Sequence, residues 1–264
     1  MKHKLLILLI ALSVCTCSHN STGHYRYGKC LEVKLREDKT VCICGLTDDF
    51  RHNLKEVFHI PETIYGLKVT EIGDHAFKEC SSLKEITLPA SLKSIGNGAF
   101  WKCTHLETIS IPDGLATIGY HAFNECSSLK EITLPASIKS IGDYAFESCS
   151  SLKEITLPAS LKSIGKGVFL KCTHLETISI SDGLTTIGDE AFRRCSSLKE
   201  ITLPASVKSI GVSAFAGCDS LTRVTFADTN SWYVSWTAVN VTNPITNAKY
   251  LKNTYEIYHW EKRL

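Results

Sequence analysis

The chain has 264 residues, of which twelve are cysteines and ten histidines. That is enough for metal sites, disulfides or a nucleophilic centre, so spacing decides which chemistry is open. Seven of the cysteines, Cys80, Cys103, Cys126, Cys149, Cys172, Cys195 and Cys218, stand 23 residues apart. A structural zinc site draws four ligands to one point, usually from pairs such as C-x-x-C. No C-x-x-C occurs, and a ladder with one thiol per step cannot surround an ion. Side chains repeated once per structural unit also point in parallel, whereas a disulfide needs them aimed at each other. The ladder therefore reads as small buried hydrophobes. Cys30, Cys42 and Cys44 stand apart from it. A three-residue hairpin loop at Arg36–Asp38 places Cys30 opposite Cys44, a candidate disulfide that leaves Cys42 over and that a slipped register removes.

The histidines are scattered, except His105 and His174, which follow Thr at equivalent places. No H-x-x-x-H pair, G-x-S-x-G elbow or glycine-rich phosphate loop is present. Catalysis needs an asymmetric constellation, and a repeat offers the same group at every step. The expectation is no enzyme, no metal and no cofactor.

Elements with the same period must position these ladders. Gly73, Gly96, Gly119, Gly142, Gly165, Gly188 and Gly211 keep the 23-residue step, as do Phe77, Phe100, Phe123, Phe146, Phe169, Phe192 and Phe215. Residues 81–149 and 150–218 match again as two 69-residue blocks, each reading SSLKEITLPAS, THLETISI, SSLKEITLPAS. Within a unit, Leu83, Ile86 and Leu88 fit the strand of a leucine-rich repeat. Ile86 and Leu88 face inward, and Glu85 and Thr87 outward. Pro89 ends the strand because it has no N–H for a ladder. Leu92 and Ile95 return inward, Gly96 permits a bend, and Ala99 and Phe100 fill the core. One unit buries too little apolar surface to offset the entropy of ordering it, so units must stack. Coils then lie about 4.8 Å apart where strands pair.

The phrase C-x-x-L-x-x-I-x-L-P-x-x-L-x-x-I-G-x-x-A-F, Cys80 to Phe100, resembles the 23-residue, Treponema-type leucine-rich repeat of the BspA-like family. The likeness covers about residues 57–226, with Ser181 for Pro and Val168 for Ala as small departures. It implies a leucine-rich-repeat solenoid: stacked β-containing coils with a parallel sheet along one face. An open solenoid exposes unpaired backbone at both ends. Residues 29–72 read as an N-terminal cap built on a β-hairpin, 73–226 as the repeats, and 227–264 as a C-terminal cap. In that last segment Trp232, Trp236, Tyr250, Leu251, Tyr255 and Trp260 would cover the final coil. "IPETIYGLKVTEIG" resembles a repeat stretched by a turn at Tyr65-Gly66.

The first residues read as an address. Lys2, His3 and Lys4 precede a ten-residue apolar run, Leu5 to Val14, too short to cross a bilayer but fit for a signal peptide spanning 1–17. Leu12-Ser13-Val14-Cys15 is similar to a bacterial lipobox, which makes Cys15 the candidate lipidation site. Plain cleavage near Ser18 is the alternative, and residues 18–28 read as a polar tether. The expected location is extracellular or at the cell surface, secreted or lipid-anchored. Membrane contact is expected only through that N-terminal lipid. With 29 basic and 27 acidic residues, there is no field for nucleic acid.

What remains is the outward strand face: Glu85 and Thr87, Thr108 and Ser110, Glu131 and Thr133, Glu154 and Thr156, Thr177 and Ser179, Glu200 and Thr202. These ranks are either a solvated sheet surface or a regular polar face for a protein or glycan ligand. The hydroxyl rank invites an ice-binding reading, but charged ranks of Glu and Lys beside it spoil a flat, weakly charged plane. The resemblance implies an adhesin for host extracellular proteins, matrix or cells. A structural spacer of the envelope with no specific ligand is the alternative, and the near-identity of the coils favours it.

Overall fold

The structure is a computed structural model that describes residues 24–28, 31–47, 54–230, 232–234, 237–239, 241–254 and 259–263. The expected leader, Cys15 and Cys30 lie outside the described residues.

Each 23-residue unit winds once around a shared core and presents three sides. On the strand side, Val57–His59 pairs in parallel with Glu85–Thr87, and that strand with Thr108–Ser110; a single bridge then links Thr108 to Glu131. Further along, Glu154–Leu157 pairs with Thr177–Ile180, and Glu200–Leu203 with Arg223–Phe226. The register is one repeat per step, Glu85 to Thr108 and Glu154 to Thr177. Alternation holds throughout: Ile86, Ile109, Ile155, Ile178 and Ile201 are buried between exposed neighbours. On the return side, two-residue strands such as Ser94–Ile95 and Thr117–Ile118 form a second parallel ladder.

The third side holds the phenylalanines. Their rings stack in one column with centroids 5.2–5.6 Å apart and planes within 18°. Backbone bonds run alongside, for example Phe100 N–H to Ala122 C=O at 2.8 Å. The seven ladder thiols are buried here, and their role is more than filling space. Cys103 Sγ donates to the carbonyl of Phe77, one coil back, at 3.0 Å, and Cys126 through Cys218 repeat the contact at 3.1–3.2 Å. A small apolar residue with one weak donor suits a site that needs both.

The turns between return strand and cysteine use left-handed backbone twice per coil. His75, His121, Tyr144, Glu190 and Ser213 hold φ of 54–58°, and Glu79, Lys102, Glu125, Ser148, Lys171 and Arg194 hold 59–61°. Gly98, Gly167 and Gly217 occupy the same two ranks. Because this conformation recurs in every coil, it belongs to the fold.

At the N-terminal end the strands His24–Tyr27, Leu31–Leu35 and Val41–Leu46 form an antiparallel meander. Its last strand runs parallel to Leu67–Ile72 and so continues the return ladder. The hairpin register differs from the three-residue loop that the sequence implied. Leu35 pairs with Val41 and Lys34 with Cys42, so the loop is residues 36–40. Arg36 N–H bonds the Thr40 carbonyl at 2.8 Å, Lys39 is left-handed, and Asp38 accepts from the Thr40 N–H and hydroxyl. A register shift between Glu32 and Val33 then leaves Cys44 out of the pairing. The expected Cys30–Cys44 geometry needed the shorter loop; Cys30 lies outside the described residues, and Cys44 carries a free thiol. The stretched first coil turns at Tyr65-Gly66, both with positive φ, between Thr63–Ile64 and Leu67–Lys68.

At the other end Trp232 and Trp260 are buried against Phe226, with centroids 4.8 and 6.2 Å away, and Leu251 is buried too. Trp236 and Tyr255 lie outside the described residues. Both open ladders are capped, the return side by a backbone strand and the strand side by a side-chain amide. Trp260–Lys262 pairs antiparallel with Ser209–Ile210 on the return side. On the strand side Asn247, in the helix Pro244–Lys249, donates to the Val224 and Val241 carbonyls at 2.9 and 2.8 Å.

The stack has one seam. Between the coil of Glu131 and the coil of Glu154, neither the strand ladder nor the return ladder is continuous among the described residues. A second interruption, between Thr177–Ile180 and Glu200–Leu203, affects the strand side alone. At the seam the Phe146–Phe169 spacing is 5.6 Å, the widest in the column. A Cβ placed on Gly96, Gly119, Gly188 or Gly211 would meet the carbonyl carbon of the preceding ladder glycine at 2.5–2.7 Å, whereas on Gly165 its next contacts after Asp143 Oδ1 lie at 3.5–3.6 Å. The seam falls where the two 69-residue blocks meet. There SSLKEITLPAS faces an identical copy, so Lys130 adjoins Lys153 and Glu131 adjoins Glu154, and like charges across a sheet are unfavourable.

Candidate interaction surface

All twelve outward residues singled out above are exposed on the strand side. Paired registers bring Glu85 beside Thr108, Thr87 beside Ser110, Glu154 beside Thr177 and Thr156 beside Ser179. Glu131 joins through its bridge to Thr108. Glu200 and Thr202 pair onward with Arg223 and Thr225 rather than back to Thr177 and Ser179. The first three coils enclose a shallow concavity of about 380 Å³ floored by Ile86, Ile109 and Ile132 and rimmed by Glu85, Thr87, Glu131 and Thr133.

Charges beside this face alternate by coil type. The THLET coils supply Glu107 and Glu176 between the lysines of neighbouring SSLKE coils. Lys130 pairs with Glu107 at 2.5 Å and Lys199 with Glu176 at 2.7 Å. Their lysine partners hold both carboxyls below the ordinary range. Exposed pairs of this kind add little stability; their consequence is a face whose charge is largely balanced along its length.

Nothing in the cysteine or histidine set converges. Among the described residues no three His, Cys, Asp or Glu side chains could hold a metal ion. Burial pushes the thiols of Cys103, Cys126, Cys149, Cys172, Cys195 and Cys218 up, the last to about 12, so they are poor nucleophiles. Cys44 differs: it is half-buried, and a hydrogen bond from Cys42 stabilises its thiolate and lowers its pKa.

A second surface escaped the sequence reading. On the loop side, opposite the monotony of the strands, the ranks after Gly and Phe vary from coil to coil. His75, Trp101, His121 and Tyr144 form a file with centroids 6.2, 6.4 and 5.2 Å apart. Lys78 and Lys102 lie 4.5 and 5.3 Å from the Trp101 ring centre. Tyr120 stands edge-on to His121 at 3.9 Å and is 45% exposed. Beneath it Asn124 is buried, and its amide donates to Glu147 Oε2 at 2.8 Å and to His121 Nδ1 at 2.6 Å. The bond at Nδ1 fits a neutral imidazole, and burial lowers the His121 pKa in the same direction. The signal was present in the sequence as a departure from the repeat, at ranks that the period itself does not use for the core.

A capped solenoid of stacked coils with an outward strand side, variable loops and, among the described residues, no converging reactive set is a repeat-protein scaffold, a fold often used to offer binding surface. Residues 55–140 and 118–233 match the BspA type leucine-rich repeat region, in six copies. The chain belongs to that family. Among solved structures, it is similar to the leucine-rich repeat protein of T. pallidum, with 33% identity, 74% of this chain and 90% of that one covered, and a TM-score of 0.66. It is also similar to a leucine-rich cell surface protein of Faecalibacterium prausnitzii, with 29% identity, 81% and 57% covered, and a TM-score of 0.69. No curated protein matches it.

Proposed function

We propose that the protein is exported and acts at the cell surface as a binding protein, an adhesin that holds host extracellular proteins or cells through its strand face. The observation that carries this reading is the run of twelve exposed Glu, Thr and Ser side chains on consecutive coils, with a concavity among the first three. Repeat solenoids commonly bind along such faces. The surface location of the F. prausnitzii relative and the basic-then-apolar start of the chain support export, with Cys15 as the lipid anchor and the repeats at 73–226 held between caps at 29–72 and 227–264. Among the described residues no helix is long and apolar enough to cross a membrane.

The test is saturable binding of purified protein to immobilised extracellular-matrix proteins. Binding should be lost when Glu131, Glu154 and Glu200 are replaced by Lys. Binding that survives this reversal refutes the strand face as the contact surface. The near-identity of the coils favours a second reading, a spacer or assembly element without a ligand, and absence of any saturable matrix partner would establish it over the first.

A further inference from the structure

The strand face is uniform, but the loop side carries one local concentration of unlike groups, and it lies across the seam. A groove of about 430 Å³ runs over four coils, lined by Thr104, Ser127, Ser150 and Thr173 at equivalent ranks and by Glu125, Glu147, Ser148 and Lys171. We propose that this groove, together with the Tyr120 ring joined to its Glu147 through His121 and Asn124, forms a binding site for a neutral hexose-containing glycan.

The chemistry of the lining points that way. Ser127 Oγ donates to the Thr104 carbonyl at 3.2 Å, and Ser150 Oγ to the Ser127 carbonyl at 3.3 Å. Their protons are spent on backbone, so the oxygens face the groove as acceptors. Glu125 and Glu147 add four more carboxylate oxygens, while Lys171 supplies donors and holds Glu147 at 3.3 Å. An acceptor-rich lining with one strong donor matches a ligand studded with hydroxyls, each of which donates and accepts. Two carboxylates against one ammonium give the groove a charge of −2 + 1 = −1, which opposes sulfated or sialylated sugars. The polar lining offers no bed for an apolar peptide face.

An exposed aromatic ring linked to the groove extends the match. The C–H groups on one face of a hexose carry slight positive charge and suit the negative face of an aromatic ring. Tyr120 stands beside that file, 45% exposed, and is braced by His121 at 3.9 Å and Tyr144 at 5.8 Å. The bonds from buried Asn124 to His121 and Glu147 tie that ring to the groove. Ring and carboxylate are thus fixed before any ligand arrives, which lowers the entropy lost on binding. A volume of about 430 Å³ accepts one or two sugar rings.

The experiment screens the whole protein against immobilised neutral, sialylated and sulfated oligosaccharides, then titrates the best neutral one by calorimetry. The expected result is saturable binding to neutral sugars, weakened at least tenfold by Tyr120→Ala and by Glu147→Gln. Binding should be unchanged when Glu131, Glu154 and Glu200 become Lys. Both loop-side variants should keep the parent melting temperature within a few degrees, since Gln can still accept from Asn124. No saturation by any neutral sugar, preference for the charged sugars, or binding indifferent to Tyr120 and Glu147 would each overturn the proposal. The strand-face variant separates this outcome from failure of the adhesin reading, because it removes only the matrix-protein contact.

Discussion

Replacing one ladder glycine with alanine should cost very different amounts on the two sides of the seam, although the positions are equivalent in sequence. At Gly142 the new Cβ would lie against the backbone of the preceding coil: the Tyr120 nitrogen, the Gly119 carbonyl carbon at 2.6 Å and Tyr120 Cα at 2.8 Å. None of these atoms can rotate away, so the coils must separate. Gly142 N–H also bonds the Ile118 carbonyl at 2.8 Å, and separation stretches that bond. Overpacking of this kind costs about 1–3 kcal/mol or more, about 3–10 °C of melting temperature for a chain of this size. At Gly165 the first atom met is Asp143 Oδ1, the end of a side chain, and the next lie at 3.5 and 3.6 Å. Turning that carboxylate aside forfeits its bond from the Lys166 N–H, 2.8 Å long. The loss is at most about 1 kcal/mol, since water can replace it. Thermal unfolding by circular dichroism of Gly142→Ala and Gly165→Ala would measure the difference. Gly45→Ala, whose Cβ meets nothing nearer than 3.6 Å, is the control. Equal losses at 142 and 165, or a larger loss at 165, would refute the open seam.

Two further expectations concern titratable groups. Brief alkylation of the native protein should modify Cys44 ahead of Cys42 and the seven ladder cysteines, because Cys44 is half-buried with a lowered pKa while the others are buried. Peptide mass mapping would read this, and early labelling of Cys126 or Cys149 would contradict the closed column. His121 has a folded pKa below its ordinary value of 6.5. As pH falls past 6.5 the unfolded chain therefore binds a proton that the folded chain resists, and stability drops until the lower folded pKa is reached. His121→Asn, which the left-handed backbone tolerates, should flatten that acid-side decline in melting temperature; an unaltered slope would mean His121 does not contribute.

Most of the fold could be read from the sequence, because a repeat announces its core seven times. Period 23, the inward Leu and Ile, the bend at Gly and the buried Phe and Cys all follow from positions that never change. Three features could not be read so directly. The left-handed residues are visible only through Gly98, Gly167 and Gly217, scattered among His, Tyr, Glu and Lys at the same ranks. The N-terminal register turned on Asp38 and Thr40, whose side chains close a five-residue loop where a shorter one also fits the pattern. The thiols' second role, donation to a phenylalanine carbonyl one coil away, depends on stacking geometry that composition does not reveal.

The candidate strand face was legible for the same reason as the core, and that is also its weakness as an explanation of specificity. Glu, Thr and Ser recur there because duplication copied them, and sheet propensity alone accounts for the hydroxyls. Selective recognition needs differences that favour one partner and penalise others. On this molecule those differences lie on the loop side, where His75, Trp101, Tyr120, Tyr144, Glu147 and Lys171 stand at ranks that the core leaves free. At the seam identical phrases meet: Lys130 falls beside Lys153, whose N–H still bonds the Lys130 carbonyl at 3.3 Å, while the strand pairing beyond it lapses and the return ladder is interrupted. The THLET phrase avoids that conflict inside each block by setting Glu107 and Glu176 between lysines. Repetition thus accounts for the strand face and for the like charges that meet at the seam, and the loop side carries the unlike groups that a selective contact requires.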